Sequence, residues 1–228
     1  MSEPRRVFIL TGSTRGGKTT SQSVSEYLAE RLAERGVQSE TMRARSALKS
    51  EQGTADMLAA IERADVFVLV FPLFISNLPA MAIRALETIA AHRAERGNGD
   101  GEQKPFIAIC QGGYPEARQS EAALAVCQQF AGEAGFEWAG GLAFGGGAVI
   151  GGQPLEKMGA MTKYPRQALD MAAEAIACGQ PVPDQAVATM AKLLLPAWLI
   201  PPLLNAVMLL RLRQAGVLKS FRARPFVR

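Results

Sequence analysis

The sequence is poor in the groups that usually do chemistry. Its 228 residues include one histidine and three cysteines. His92 stands beside Arg93 in IAAHRAERG, at the end of a helical stretch where a solvated or capping role suits it better than that of a base. Ser-His and Cys-His nucleophilic catalysis are therefore not expected. Cys110, Cys127 and Cys178 are widely spaced and form no C-x-x-C, which argues against a disulfide framework, a zinc ribbon or a cysteine-bound iron-sulfur cluster. A reducing, cytoplasmic setting is expected. The opening MSEPRRVFIL is basic but lacks an apolar segment long enough for a signal peptide, and it runs straight into a strand. Acid is missing from residues 205–228, which hold Arg211, Arg213, Lys219, Arg222, Arg224 and Arg228 and carry +6 in a chain of net charge +4. The body is near neutral and the basicity belongs to the C-terminal end. Such an end suits a phospholipid surface or plain solvation, and nucleic acid is not expected as a partner.

An unbroken membrane-length helix is missing too. Residues 193–210, LLLPAWLIPPLLNAVMLL, are 18 residues without a charge, the lower limit for a span. Pro196, Pro201 and Pro202 interrupt the helical hydrogen-bond ladder near the middle, and Asn205 adds a polar group. Two short segments that pack on the body, on a second subunit or against a membrane surface explain the stretch better. Trp198 and the basic residues that follow keep peripheral membrane contact open.

Against these absences stand repeated strand-then-glycine units. Arg6 to Thr11 and Ala64 to Pro72 are continuous apolar runs of the kind buried on both faces of a sheet. KPFIAICQGG and FEWAGGLAFGGG repeat the plan, and SETMRA offers a short second strand. Helical spacing covers SQSVSEYLAERLAERG, Ala55 to Arg63, LPAMAIRALETIAAHRAERG between Pro79 and Gly97, SEAALAVCQQFAGEAG, and Tyr164 to Cys178. GNGDGEQ reads as a surface loop. Alternating strands and helices select an α/β fold with a five-stranded parallel sheet. The glycine-rich loops follow the carboxyl ends of the strands, the edge where such sheets bind ligands. The chain divides into a body over 1–180 and an apolar, basic helical extension over 181–228.

The first loop, GSTRGGKT from Gly12 to Thr19, matches the triphosphate-loop pattern G-x-x-x-x-G-K-[ST]. A glycine-rich turn between a buried strand and a helix exposes backbone N–H groups at the positive end of the helix dipole, which favours phosphate. Ser13, Thr14, Thr19 and Thr20 add hydroxyls, and Arg15 and Lys18 add charge. Triphosphate chemistry also needs an acidic residue at the end of a neighbouring strand to help hold Mg²⁺. The apolar strands end instead in VFP, CQGG and AFGG, and Asp65 lies at the wrong end of its own strand.

Three loops in order resemble the flavodoxin-like NAD(P)H-dependent FMN reductase family, and more closely its NAD(P)H-dependent oxidoreductase branch. GSTR from Gly12 to Arg15 matches the family's G-S-x-R. Pro72, Phe74 and Pro79 match P-x-[YF]-x-x-x-x-P. Gln111, Gly112, Gly113, Tyr114, Glu116 and Gln119 match a Q-containing G-[GF]-Y/F-E-x-x-Q stretch. The resemblance covers most of the chain and implies a flavodoxin-like three-layer sandwich with sheet order 2-1-3-4-5. By position it implies that Ser13, Thr14, Arg15, Lys18, Thr19 and Thr20 hold the phosphate of FMN. Pro72, Leu73, Phe74, Ile75 and Asn77, with Gln111, Gly112, Gly113 and Tyr114, then bracket the isoalloxazine and ribityl groups. NAD(P)H is the implied co-substrate, with a small-molecule electron acceptor and a homodimer as partners. No catalytic side chain or metal is expected, because the cofactor carries hydride transfer.

Overall fold

The computed structural model describes residues 5–97, 103–193 and 200–217. Two compact units are present, Met1–Lys192 and Leu193–Arg228. In the first, five parallel strands form one sheet in the order β2-β1-β3-β4-β5: β1 Arg6–Thr11, β2 Gln38–Arg43, β3 Val66–Pro72, β4 Lys104–Gln111 and β5 Phe136–Phe144. The helices are α1 Thr20–Ala33, α2 Ala44–Ala47, α3 Glu51–Arg63, α4 Ala80–Glu95, α5 Glu121–Glu133, α6 Lys163–Ala177 and α7 Asp184–Met190. The architecture is the flavodoxin-like three-layer sandwich, with strand order as expected.

Strand alternation splits the core into two chemically different halves. Phe8, Leu10, Phe67, Leu69, Phe71, Phe106 and Cys110 point to one face, where they meet Met57 and Ile61 of α3, Ala82, Leu86 and Ile89 of α4, and Phe130 of α5. Phe67, Phe106, Phe130 and Phe136 form a ring cluster there, with centroids 4.9 to 6.0 Å apart, within the range for favourable offset and edge contacts. The other face carries Val7, Ile9, Val66, Val68, Val70, Ile107 and Ile109 against Val24, Leu28 and Leu32 of α1 and Leu169, Ala172 and Ile176 of α6. β-Branched residues facing small and aliphatic helix residues allow this side to pack closely. β2 is the exception to the apolar rule, since it lies at the sheet edge and most of its residues are exposed.

The first unit continues past Gln180. Between Phe106 and Ile107 the β4–β5 register slips by one residue, opposite Ala139. The Ala139 carbonyl accepts from the Val182 N–H at 2.8 Å. That bond brings the segment after α6 onto β5, and Ala186 and Met190 of α7 are wholly buried.

The second unit contains α8, Ile200–Gln214. Pro201 and Pro202, expected to interrupt a helix, occupy its first turn, where a missing N–H costs no intrahelical bond. Residues 194–199 of the apolar stretch, Trp198 among them, and 218–228 of the basic end lie outside the described residues, as do 98–102 of the surface loop. Among the described residues no helix is long and apolar enough to cross a membrane.

Candidate functional site at the carboxyl edge of the sheet

The shared register ends β1, β3, β4 and β5 at one edge, with Thr11 beside Val70 and Gln111 beside both Pro72 and Phe144. Their loops therefore converge. The β1 loop leaves the sheet with the Gly12 N–H donating to Val70 O at 2.8 Å. α1 begins at Thr19, whose Oγ1 accepts from the Gln22 N–H at 3.2 Å. Between them the backbone N–H groups of Thr14, Gly16, Gly17 and Lys18 have no acceptor among the described residues. These free donors lie at the N-terminus of a helix of 14 residues with no acid in its first turn, so an anion is favoured there.

The sequence-predicted phosphate residues separate by role. Thr14, Arg15 and Lys18 are exposed and Ser13 is nearly buried. Ser13 Oγ accepts from the Arg15 N–H at 3.4 Å, which tightens the turn. Thr20 stands behind the loop: it is buried, and its hydroxyl donates to Gly147 O at 2.8 Å. That proton ties α1 to the β5 loop, and the hydroxyl donors left for a phosphate are those of Ser13, Thr14 and Thr19. Gly152 strengthens the tie, since a β-carbon there would sit 2.6 Å from the Lys18 carbonyl carbon.

Two residues that the sequence did not single out reach this loop and the helix that follows it. Arg45 Nη1 donates to Thr14 O at 2.8 Å, and Arg43 donates to Gln22 Oε1. Arg43 ends β2 and Arg45 follows two residues on, at a strand end that the order 2-1-3 places beside the end of β1. A basic residue at that strand end was the available signal.

The β3 loop is a tight turn. Phe74 and Asn77 exchange backbone bonds of 2.8 and 3.1 Å around Ile75 and Ser76, whose φ angles are 51° and 59°. Two successive positive values are those of a type I′ turn. The turn thrusts apolar side chains outward, leaving Phe74 62% and Ile75 88% exposed. Asn77 faces its own backbone, its Oδ1 accepting from the Leu78 N–H at 2.8 Å.

The β4 loop lies beside the β3 turn and is tied to it and to the β5 loop. Leu73 N–H donates to Gln111 O and Gly112 N–H to Phe144 O, both at 2.8 Å. Gly146 N–H donates to Tyr114 O and Gly147 N–H to Gly112 O, also at 2.8 Å. The β4 and β5 loops are thereby joined so closely that a β-carbon on Gly145 would overlap the carbonyl oxygens of Pro115 and Tyr114. Gln111 is nearly buried with its amide against Gly147, while Tyr114 stands 65% exposed. The edge thus combines an anion nest with large apolar side chains held in the open, which single apolar residues on a surface do not ordinarily form.

Other chemistries lack their parts. Among the described residues no strand ends in a carboxylate, and Asp65 accepts from the Arg6 N–H at 2.7 Å at the amino edge of the sheet. The loop therefore lacks the strand-end acid that Mg²⁺-dependent phosphoryl transfer uses. His92 pairs with Glu62 at 3.4 Å, also toward the amino edge. Burial pushes the thiols of Cys110 and Cys127 up to about 12, so neither presents a thiolate at neutral pH. Among the described residues no three His, Cys, Asp or Glu side chains cluster as metal ligands.

A profile of a family described as NADPH-dependent FMN reductase matches residues 5–136. No curated protein matches the chain in sequence. Among solved structures, RosB with bound intermediate OHC-RP (8-demethyl-8-formylriboflavin-5'-phosphate) is similar with a TM-score of 0.56 and 13% identity, over 76% of this chain and 78% of that one. An oxidoreductase from Corynebacterium diphtheriae gives 0.53 at 14% identity, over 78% and 97% of the two chains. A Streptococcus pneumonia TIGR4 flavodoxin gives 0.51 at 14%, over 76% and 99%. At such identities the likeness is one of fold.

Proposed function

The chain belongs to the NADPH-dependent FMN reductase family, and on that premise we propose that it binds FMN at the carboxyl edge of the sheet, draws hydride from NADPH and passes electrons to a small-molecule acceptor. Bound FMN supplies the hydride-accepting and hydride-donating centre, so the edge needs no side-chain base or nucleophile. The unpaired amides of the β1 loop, with Ser13, Thr14 and Thr19, would receive the phosphate, and Arg15 and Lys18 would balance its charge. Phe74 and Ile75 from the β3 turn and Tyr114 from the β4 loop would cover apolar ring surface, with the β4 and β5 loops joined beside them. The observation that carries the reading is the anion nest beside exposed aromatic side chains at one edge.

Arg43 and Arg45 extend the cationic region beyond the phosphate loop. Guanidinium groups so placed favour the extra phosphate of NADPH over the bare ribose of NADH. Purified protein should take up FMN with quenched flavin fluorescence, hold riboflavin much more weakly, and bleach at its visible flavin bands when NADPH is added. A colourless protein that neither takes up added FMN nor oxidises NADPH in its presence refutes the proposal.

A further inference from the structure

The second compact unit, Leu193–Arg228, has a composition unlike the first. In α8, Val207, Met208, Leu209 and Leu210 are 42%, 42%, 47% and 57% exposed. Successive helix positions are about 100° apart, so four in a row sweep most of the circumference. All four are exposed among the described residues, and a helix apolar all round is stable only when something apolar surrounds it. Charge is arranged along the axis instead of around it: Arg211 and Arg213 stand in the last turn, and residues 205–228 carry six basic residues and no acid.

This arrangement selects among possible occupants. Among the described residues α8 is too short for a transmembrane span, since its 15 residues rise roughly 22 Å against a hydrocarbon core of about 30 Å. A second copy of the unit would bring an identical charge of +6 against the first with no acid to pair it, which opposes association in water. An anionic bilayer surface meets both requirements at once, offering acyl chains to the apolar turns and phosphates to the arginines.

We propose that α8, with the basic residues that follow it in sequence, is a docking element for an anionic phospholipid surface. The apolar turns of α8 enter the boundary between headgroups and acyl chains, and Arg211 and Arg213 stand at the level of the phosphates. Because the charged residues lie at one end and not along one face, α8 enters obliquely instead of lying flat. Docking would bring the chain to acceptors dissolved in or carried on the membrane, but the proposal itself does not depend on flavin.

The test is co-sedimentation of the full chain with vesicles of phosphatidylcholine containing about one third phosphatidylglycerol, with vesicles of phosphatidylcholine alone as the reference. Binding is expected to the anionic vesicles, to weaken as salt is raised, and to be far weaker on the neutral ones. Replacing both arginines, Arg211→Gln with Arg213→Gln, is expected to lower partitioning about 30-fold, at about fivefold for each charge near the surface. Leu209→Ser with Leu210→Ser should lower it by a similar factor, while the thermal transition of the whole chain stays in place in both variants. A full chain that stays in the supernatant with anionic vesicles overturns the proposal, as does binding insensitive to both pairs of substitutions. Sedimentation as a dimer that Leu209→Ser with Leu210→Ser dissociates, without vesicle binding, would assign the surface to a second copy.

Discussion

The two edges of the sheet handle their polar groups in opposite ways. At the amino edge Lys104 Nζ donates to the Ile61 and Glu62 carbonyls, Asp65 takes the Arg6 N–H, and His92 meets Glu62. Arg93, 5% exposed, donates to Ala134 O at 2.6 Å and Gly135 O at 3.0 Å, with its guanidinium 4.2 Å from the Phe136 ring centroid. Burial lowers the pKa of Arg93 and of Lys104, with Glu62 opposing the shift in both. At the carboxyl edge the N–H groups of Thr14, Gly16, Gly17 and Lys18 have no acceptor among the described residues, and three large apolar side chains are exposed. A group whose bonds are all made inside the chain has nothing left for a ligand. The amino edge holds the fold together, and the carboxyl edge keeps its bonding capacity for a partner.

The comparison breaks most sharply at Gly145. A β-carbon there meets the backbone of Pro115 and Tyr114, not a side chain that could turn away. Gly145→Val is expected to separate the β4 and β5 loops, weaken FMN binding by about 100-fold or more and cost about 3 kcal/mol of stability. Gly132→Ala, in α5 where nothing lies within 4 Å of the added carbon, should instead gain about 0.5 kcal/mol and leave FMN binding alone. Fluorescence titration and urea denaturation on the same samples read both quantities.

Arg93→Met tests the amino edge. Two buried carbonyls lose their donor and the ring loses a cation, so about 3 kcal/mol of stability should be lost. The FMN dissociation constant should change less than about twofold, because the carboxyl edge is untouched. A large loss of FMN affinity at unchanged stability would dissolve the distinction between the edges. Ser13→Ala and Arg15→Ala reverse the pattern: each should weaken FMN about tenfold, the worth of one hydrogen bond to a charged group. Riboflavin, which has no phosphate, should bind equally well to both variants and the parent. Thr20→Ala should lower stability by about 1 kcal/mol through the lost Gly147 bond.

The fold was legible because β1, β3 and β4 are buried on both faces and must be continuously apolar. β2 was fainter, since an edge strand covered on few sides keeps residues such as Ser39, Glu40 and Thr41. α7 was hidden because it is short and its place depends on the slipped register at Ala139, which no local pattern encodes. At the site, the phosphate loop was legible from glycines and hydroxyls adjoining a helix. The division of labour within it was not, because Thr20 answers to Gly147 and Lys18 packs against Gly152, both more than a hundred residues away. Arg45 and Arg43 required the strand order before their bonds to Thr14 and Gln22 had meaning.

The β3 turn offers the smallest effect and the finest test. Type I′ turns ordinarily use Asn and Gly at the two central positions because both need positive φ. Here Ile75 and Ser76 occupy them, and a β-branched residue in that region is strained by about 1 to 2 kcal/mol. Ile75 is also 88% exposed, so burial within the chain returns almost nothing for the strain. Ile75→Asn should therefore stabilise the protein by about 1 kcal/mol, since Asn tolerates the conformation without the added chain entropy of glycine. If the isoleucine is retained to cover flavin, the same substitution should release FMN several-fold faster. Stability that rises while flavin release is unchanged would separate the turn's strain from the cofactor. Stability that falls would show that the isoleucine has a partner other than flavin.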